Sequence, residues 1–211
     1  MFKAITLCVM LFSLTACQTA YYSAMEKVGY HKRDILVDRV KDAQTSQTEA
    51  QVQFQSALEQ FQSVVSFDGG ELEDAYNSLN DQYVASLDSA ENVSNRIDKV
   101  ESVADDLFDE WEDELDQYTS AKLKARSQKQ LRATQTQYGK LIKSMRKAES
   151  KMQPFLSALN DNVLYLKHNL NAKAVGALKG ELGSIQKDVK SLIAEINSSI
   201  EQSNKFIKSL E

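Results

Sequence analysis

Apolar and small residues recur in steps of three and four along almost the whole chain. Val40, Ala43, Gln47, Ala50, Phe54, Ala57, Phe61 and Val64 form one series, with Gln47 its single polar member. Val93, Ile97, Val100, Ala104, Leu107, Trp111, Leu115 and Tyr118 form a second. A third runs Tyr138, Leu141, Met145, Ala148, Met152, Phe155, Leu159, Val163, Leu166, Leu170. A fourth runs Leu178, Leu182, Ile185, Val189, Leu192, Ile196, Ile200, with Phe206, Ile207 and Leu210 at its end. Steps of three and four place these residues on one stripe of an α-helix, and heptad stripes mark helices that pack along their length. Strands would need turns, which use Pro and Gly; the 211 residues hold one Pro and seven Gly. The fold class is therefore all-α.

The breaks between stripes set the topology. Phe67-Asp68-Gly69-Gly70 reads as a tight turn, because glycine reaches positive φ without penalty. Thr119-Ser120 and Ser127 are two candidate caps, so a bend or loop is expected within 119–127. Pro154 lies inside a stripe that continues through it, which predicts a kink. Asn169 and Asn171 predict a turn at 169–173. The expected helices are about 23–66, 71–118, 127–169 and 173–210. Each would be ~60 Å long at 1.5 Å per residue. Short turns make successive helices antiparallel. The expectation is a single elongated domain over 23–211, an antiparallel four-helix bundle or a pair of coiled-coil hairpins. Gly176, Gly180 and Gly183 cost about 1 kcal/mol each against Ala in a helix. They are read as permitting close helix crossing, ahead of loosening the distal end for a partner.

Ahead of this domain, Lys3 and the apolar run from Ala4 to Leu14 read as a signal peptide, residues 1–16. The run is too short to span a bilayer, which takes ~20 apolar residues. Leu14-Thr15-Ala16-Cys17 looks like a bacterial lipobox, in which the Cys17 thiol accepts diacylglycerol and the chain is cut before it. Several acyl chains on one residue hold a protein stably at a membrane. Gln18, in place of Asp, favours the outer membrane, facing the periplasm. Residues 17–22 then form the anchor and a short tether. Of the two cysteines, Cys8 leaves with the signal peptide and Cys17 carries lipid. No disulfide and no thiol nucleophile remain, so stability rests on packing.

Charge is unevenly placed. Residues 67–118 hold seventeen Asp and Glu against two Lys and Arg, whereas 119–211 hold seventeen Lys and Arg against seven Asp and Glu. Lys122, Lys124, Arg126, Lys129 and Arg132 follow the acidic run 105–116, then Lys140, Lys143, Arg146, Lys147 and Lys151; folding the second and third helices into a hairpin would lay the acidic run beside part of this basic one. Each exposed pair contributes only ~0–1 kcal/mol, but the collective sign helps select that pairing.

Tyr30-His31-Lys32-Arg33-Asp34-Ile35-Leu36-Val37, Phe67-Asp68-Gly69-Gly70, Phe108-Asp109-Glu110-Trp111-Glu112 and Leu166-Lys167-His168-Asn169-Leu170-Asn171-Ala172 together resemble the signatures of a family of Gram-negative lipoproteins of unknown function, number 2959 in the unknown-function series. The similarity covers nearly all of the chain after Cys17. It implies no activity, cofactor or catalytic residue.

Catalytic constellations are missing from the sequence. A di-metal bundle needs Glu-x-x-His pairs, but Val28 and Tyr165 precede His31 and His168 by three. In an up-down bundle the two histidines would also lie at opposite ends. No nucleophile elbow, phosphate loop, dinucleotide fingerprint or Cys/His cluster is present. The acidic run lacks the spacing and glycine of an EF-hand loop. The expectation is a non-enzymatic, membrane-anchored scaffold with no cofactor and no metal. It binds the membrane through Cys17 and a protein partner through the distal turns, at Asp68, Gly69, Gly70, Asn169 and Asn171. Nucleic acid is not an expected partner for a lipidated chain of net negative charge. Homo-oligomerisation stays open, since heptads pair between chains as readily as within one. The alternative is a bundle that contacts or shapes lipid through Lys32, Arg33 and the 122–132 basic residues; an enzyme of unfamiliar type ranks below both.

Overall fold

The computed structural model describes residues 31–210 apart from 68 and 70. The lipobox, Cys17, the 17–22 tether and the expected helix start at 23 lie outside the described residues, as do Asp68 and Gly70.

Five helices follow one another: α1 (Lys32–Val65), α2 (Leu72–Leu115), α3 (Ala121–Ser150), α4 (Met152–His168) and α5 (Ala172–Leu210). α1 ends where the Ser66 and Phe67 amides turn back to the carbonyls of Gln62 and Val64, at 3.0 and 3.2 Å. Gly69 then takes φ of +156°, a conformation that side chains on L-residues rarely adopt. α2 opens with Glu73 and Asp74 in its first turn, where carboxylates suit the positive end of the helix dipole.

The expected loop falls early in its window, so the third helix starts at Ala121 and not at 127. The Ser120 hydroxyl accepts a hydrogen bond from the Leu123 amide at 3.4 Å and caps α3. Ser127, the second candidate cap, sits inside the helix and accepts from Trp111 Nε1 at 2.8 Å. The helix expected over 127–169 is interrupted at Lys151, whose amide bonds to Ala148 at 3.1 Å, one residue nearer than in an α-helix. Pro154 explains the break. Its ring supplies no N–H and crowds the carbonyl four residues back, that of Ser150.

The helices form an up-down-up-down bundle. α1 packs on α2 and α5; α2 also packs on α3 and α4; α5 packs on α3 and α4. The α3–α4 rod thus completes a ring of four rods. Phe54 and Phe155 meet edge-on across the core, with ring centroids 5.4 Å apart. Nearer the end where α1 begins, Tyr138 lies between Phe108 and Phe206, at 5.4 and 6.2 Å.

All eight residues of the first stripe are buried, Gln47 among them. The fourth stripe shifts after Ile196. The buried positions there are Ser199, Ser203, Phe206 and Leu210, and Ile200 is only half-buried. Gln47 and Ser199 belong to one polar layer, because Gln44 Nε2 donates to the Ile200 carbonyl at 3.2 Å and to Asn204 Oδ1 at 3.0 Å. Both amide atoms of Gln47, Ser46 Oγ and Ser199 Oγ are buried without a hydrogen-bond partner.

Candidate functional site

The bundle offers two ends and two charged sides. One end, called basal below, carries the start of α1 and the α2–α3 turn; the opposite end, called distal, carries the α1–α2 and α4–α5 turns. His31 caps the start of α1 and His168 closes α4, so the two histidines stand at opposite ends. Among the described residues, no group of three or more His, Cys, Asp or Glu is placed to hold a metal ion.

At the distal end, Asn171 Oδ1 accepts from the amides of Lys173 and Ala174 at 3.0 and 3.2 Å and so caps α5. Asn169 Nδ2 donates to the Tyr165 carbonyl at 2.9 Å. Both asparagines thus shape the turn. The apolar surface beside them is Leu164, Tyr165 and Leu170, each more than two-fifths exposed. A groove of about 430 Å³ runs between α4 and α5, floored by Ala158, Ala177 and Leu178 and rimmed by Asp161 and Glu181. No periodic pattern announces this groove, since its lining comes from single residues on two different helices.

Gly176, Gly180 and Gly183 do not serve a close helix crossing among the described residues. A methyl group added at any of them meets nothing within 4 Å. They face away from the buried side of α5, which carries Ala174, Leu178 and Ile185.

At the basal end, Tyr118 and Leu123 are exposed, although Tyr118 closes the second stripe. Lys32 bridges to Glu110 at 3.2 Å, tying α1 to α2. Across the α2–α3 hairpin, Lys124 reaches Asp116 at 2.9 Å, and Gln135 Nε2 donates to Glu112 at 3.1 Å.

An ion-pair cluster around one guanidinium lies further up. Arg146 on α3 pairs with Asp98 at 2.5 Å, with Glu101, and with Glu149 of its own helix at 2.9 Å. The Glu101 carboxylate, then Asp98 and Glu149, hold the guanidinium protonated more firmly than usual. Burial, then the carboxylates of Asp109, Glu101 and Asp106, push the Asp105 carboxyl up. Asp106 is pushed up by burial too, with Lys32 opposing and Asp109 and Glu110 adding. Its Oδ2 is buried without a partner. The Tyr138 phenol is raised by burial and by Asp105 and Glu101.

The hairpin therefore pairs only part of its charge. Of the basic run, Lys124, Arg146 and Lys147 make ion pairs. Lys122, Arg126, Lys129 and Arg132 make none among the described residues and are exposed. The seams turn inward and carry the apolar contact, which leaves these long side chains pointing outward.

Residues 21–210 match the family described as Protein of unknown function (DUF2959). The chain belongs to this family. No curated protein and no solved structure matches it. None of the described helices is long and apolar enough to cross a membrane.

Proposed function

We propose that this DUF2959 protein is a non-enzymatic, lipid-anchored scaffold of the bacterial cell envelope, standing at the outer membrane and facing the periplasm. One observation supports it above others: the described helices form an elongated rod with the start of α1 at one end. α1 begins at Lys32, fifteen residues after Cys17, so a lipid on Cys17 would keep that end near the membrane. α2 has 44 residues, about 65 Å at 1.5 Å per residue. The distal turns and the α4–α5 groove would then face outward, with Leu164, Tyr165 and Leu170 as apolar contacts for a protein partner. The scaffold adds no cofactor and no catalytic step. Labelling cells with a radioactive fatty acid tests the anchor. Label on the wild type and none on Cys17→Ser, which leaves the membrane fraction, is the expected outcome. Equal membrane retention of Cys17→Ser would refute it.

A second reading, contact with lipid at the basal end, draws on exposed Tyr118 and Leu123 beside Lys122 and Arg126. Apolar side chains flanked by cations suit a headgroup layer. Asp113, Glu114 and Asp116 share that end and oppose it. Salt-sensitive binding of the unlipidated chain to anionic vesicles supports this reading, and its absence removes it.

A further inference from the structure

The hairpin that buries its apolar seams presents two charged seams on its outside. On α3, Lys122, Arg126, Lys129, Lys140, Lys143 and Lys147 follow heptad spacing and are exposed. On α2, Asp88, Glu91, Asp98, Asp105, Asp109 and Asp116 follow the same spacing. A few of these charges are used inside the chain. Lys147 pairs with Glu195, Asp98 with Arg146 and Asp116 with Lys124. Lys122, Arg126, Lys129, Lys140 and Lys143 make no ion pair among the described residues, nor do Asp88, Glu91, Asp105 and Asp109.

The heights of the two seams agree. Trp111 bonds to Ser127, and Arg146 reaches Asp98 and Glu101. Lys129 therefore stands about level with Asp109, and Lys140 and Lys143 with Asp105. Copies standing in the same direction would meet opposite charge without sliding along each other.

We propose that the bundle associates side by side with a second copy of this chain, both pointing the same way, the basic α3 face of one against the acidic α2 face of the other. The two faces lie on neighbouring helices of one hairpin, so a two-fold axis along the rods lets two copies make both pairings at once, α3 on α2 and α2 on α3, in a closed dimer. Pairing α3 with α3, or α2 with α2, sets like charges together and is disfavoured. The inference adds a partner to the scaffold reading and stands whether or not Cys17 carries lipid. Shared anchoring would strengthen it by holding copies upright at high local concentration.

The test uses the mature chain with Cys17→Ser, followed by analytical ultracentrifugation in low and high salt. Low salt lengthens the screening distance to ~30 Å at 0.01 M. Concentration-dependent association in low salt, dissolved in high salt, is expected. One variant reverses the α3 face (Lys129→Glu, Lys140→Glu, Lys143→Glu); another reverses the α2 face (Glu91→Lys, Asp105→Lys, Asp109→Lys). Each alone should be monomeric, and their mixture should associate. A control with the same charge change on α5 (Lys173→Glu, Lys187→Glu, Lys190→Glu) should still associate alone, which separates face from net charge. Far-ultraviolet circular dichroism establishes that each variant is folded, and the salt series on the unaltered faces needs no variant. A wild type that stays monomeric in low salt overturns the proposal. So does an α5 control that behaves like the α3 variant, or a mixture that fails to associate. Salt-sensitive binding of the α3 face to an anionic polymer, with no self-association, would assign that face to a different occupant.

Discussion

Replacing Gln47 by leucine is expected to stabilise the protein. Gln47 is fully buried in the α1 seam, and neither its Nε2 nor its Oε1 has a hydrogen-bond partner. A buried donor or acceptor left unmade costs ~1–3 kcal/mol. Leucine removes both groups at similar volume and adds apolar burial at a heptad position. Against this, the differently shaped side chain must repack beside Ala43 and Ala50, which costs up to ~1.5 kcal/mol for volume-conserving swaps. The balance is a gain of about 1–3 kcal/mol. For a chain near this size each kcal/mol raises the melting temperature by ~2–4 °C. Urea unfolding followed by circular dichroism measures it, with an unchanged slope marking a pure stability effect. A loss of 1 kcal/mol or more would refute the reasoning. It would mean that the Gln47 amide is satisfied, by buried water shared with Ser46 or Ser199. A polar residue at one seam position can also fix register at a cost in stability. Gln47→Leu should therefore be examined by ultracentrifugation beside the wild type.

Other outcomes follow from the same geometry. Gly180→Ala should stabilise by up to ~1 kcal/mol, as expected for a helix interior with open space at the Cβ, and thermal melts would show it. Phe155→Ala removes the ring that meets Phe54 and should cost ~3–5 kcal/mol, read as a lower urea midpoint. Arg146→Met leaves Asp98, Glu101 and Glu149 without their cation. Because the guanidinium is about a third exposed, the loss should be only ~1–2 kcal/mol and should shrink in high salt. The pH dependence has a definite sign. Asp105 and Asp106 have folded pKa values raised above their ordinary 3.8, so the folded state holds more protons than the unfolded state between those values. Their contribution is present below the ordinary value and is lost as pH rises through the raised one. Asp106→Asn should therefore raise the melting temperature at neutral pH more than at mildly acidic pH, and an equal shift at both would contradict the assignment.

Much of the bundle could be read from residue spacing because lengthwise packing demands a narrow stripe. Val40 to Val64, Val93 to Leu107 and Leu141 to Leu166 lie buried where the heptads put them. Legibility failed where polar residues took core positions. Ser199 and Ser203 continue the fourth seam, and a pattern sought among apolar residues jumps from Ile196 to Ile200. The start of α3 was ambiguous for a related reason. Ser120 and Ser127 are equally good caps by residue type, and only the Trp111 indole, a partner from the preceding helix, decides between them. Glycines proved weak evidence for close approach: Gly176, Gly180 and Gly183 line the open side of α5. The charge runs suggested partnership within the hairpin. Packing instead turned most of the charges outward, where they became surfaces, and no one-dimensional pattern separates those two outcomes.

The central claim is that the chain works as an anchored rod whose sides and distal end meet other proteins. Photo-crosslinking in intact cells tests it most directly, with photoreactive residues at Leu164 on the distal end and at Lys140 on the α3 face. The account predicts defined protein adducts at both positions, a second copy of the chain among those from Lys140, and loss of the Leu164 adducts when Cys17→Ser releases the protein from the membrane. An absence of adducts above background at both positions, or a Leu164 pattern unchanged by Cys17→Ser, would contradict it.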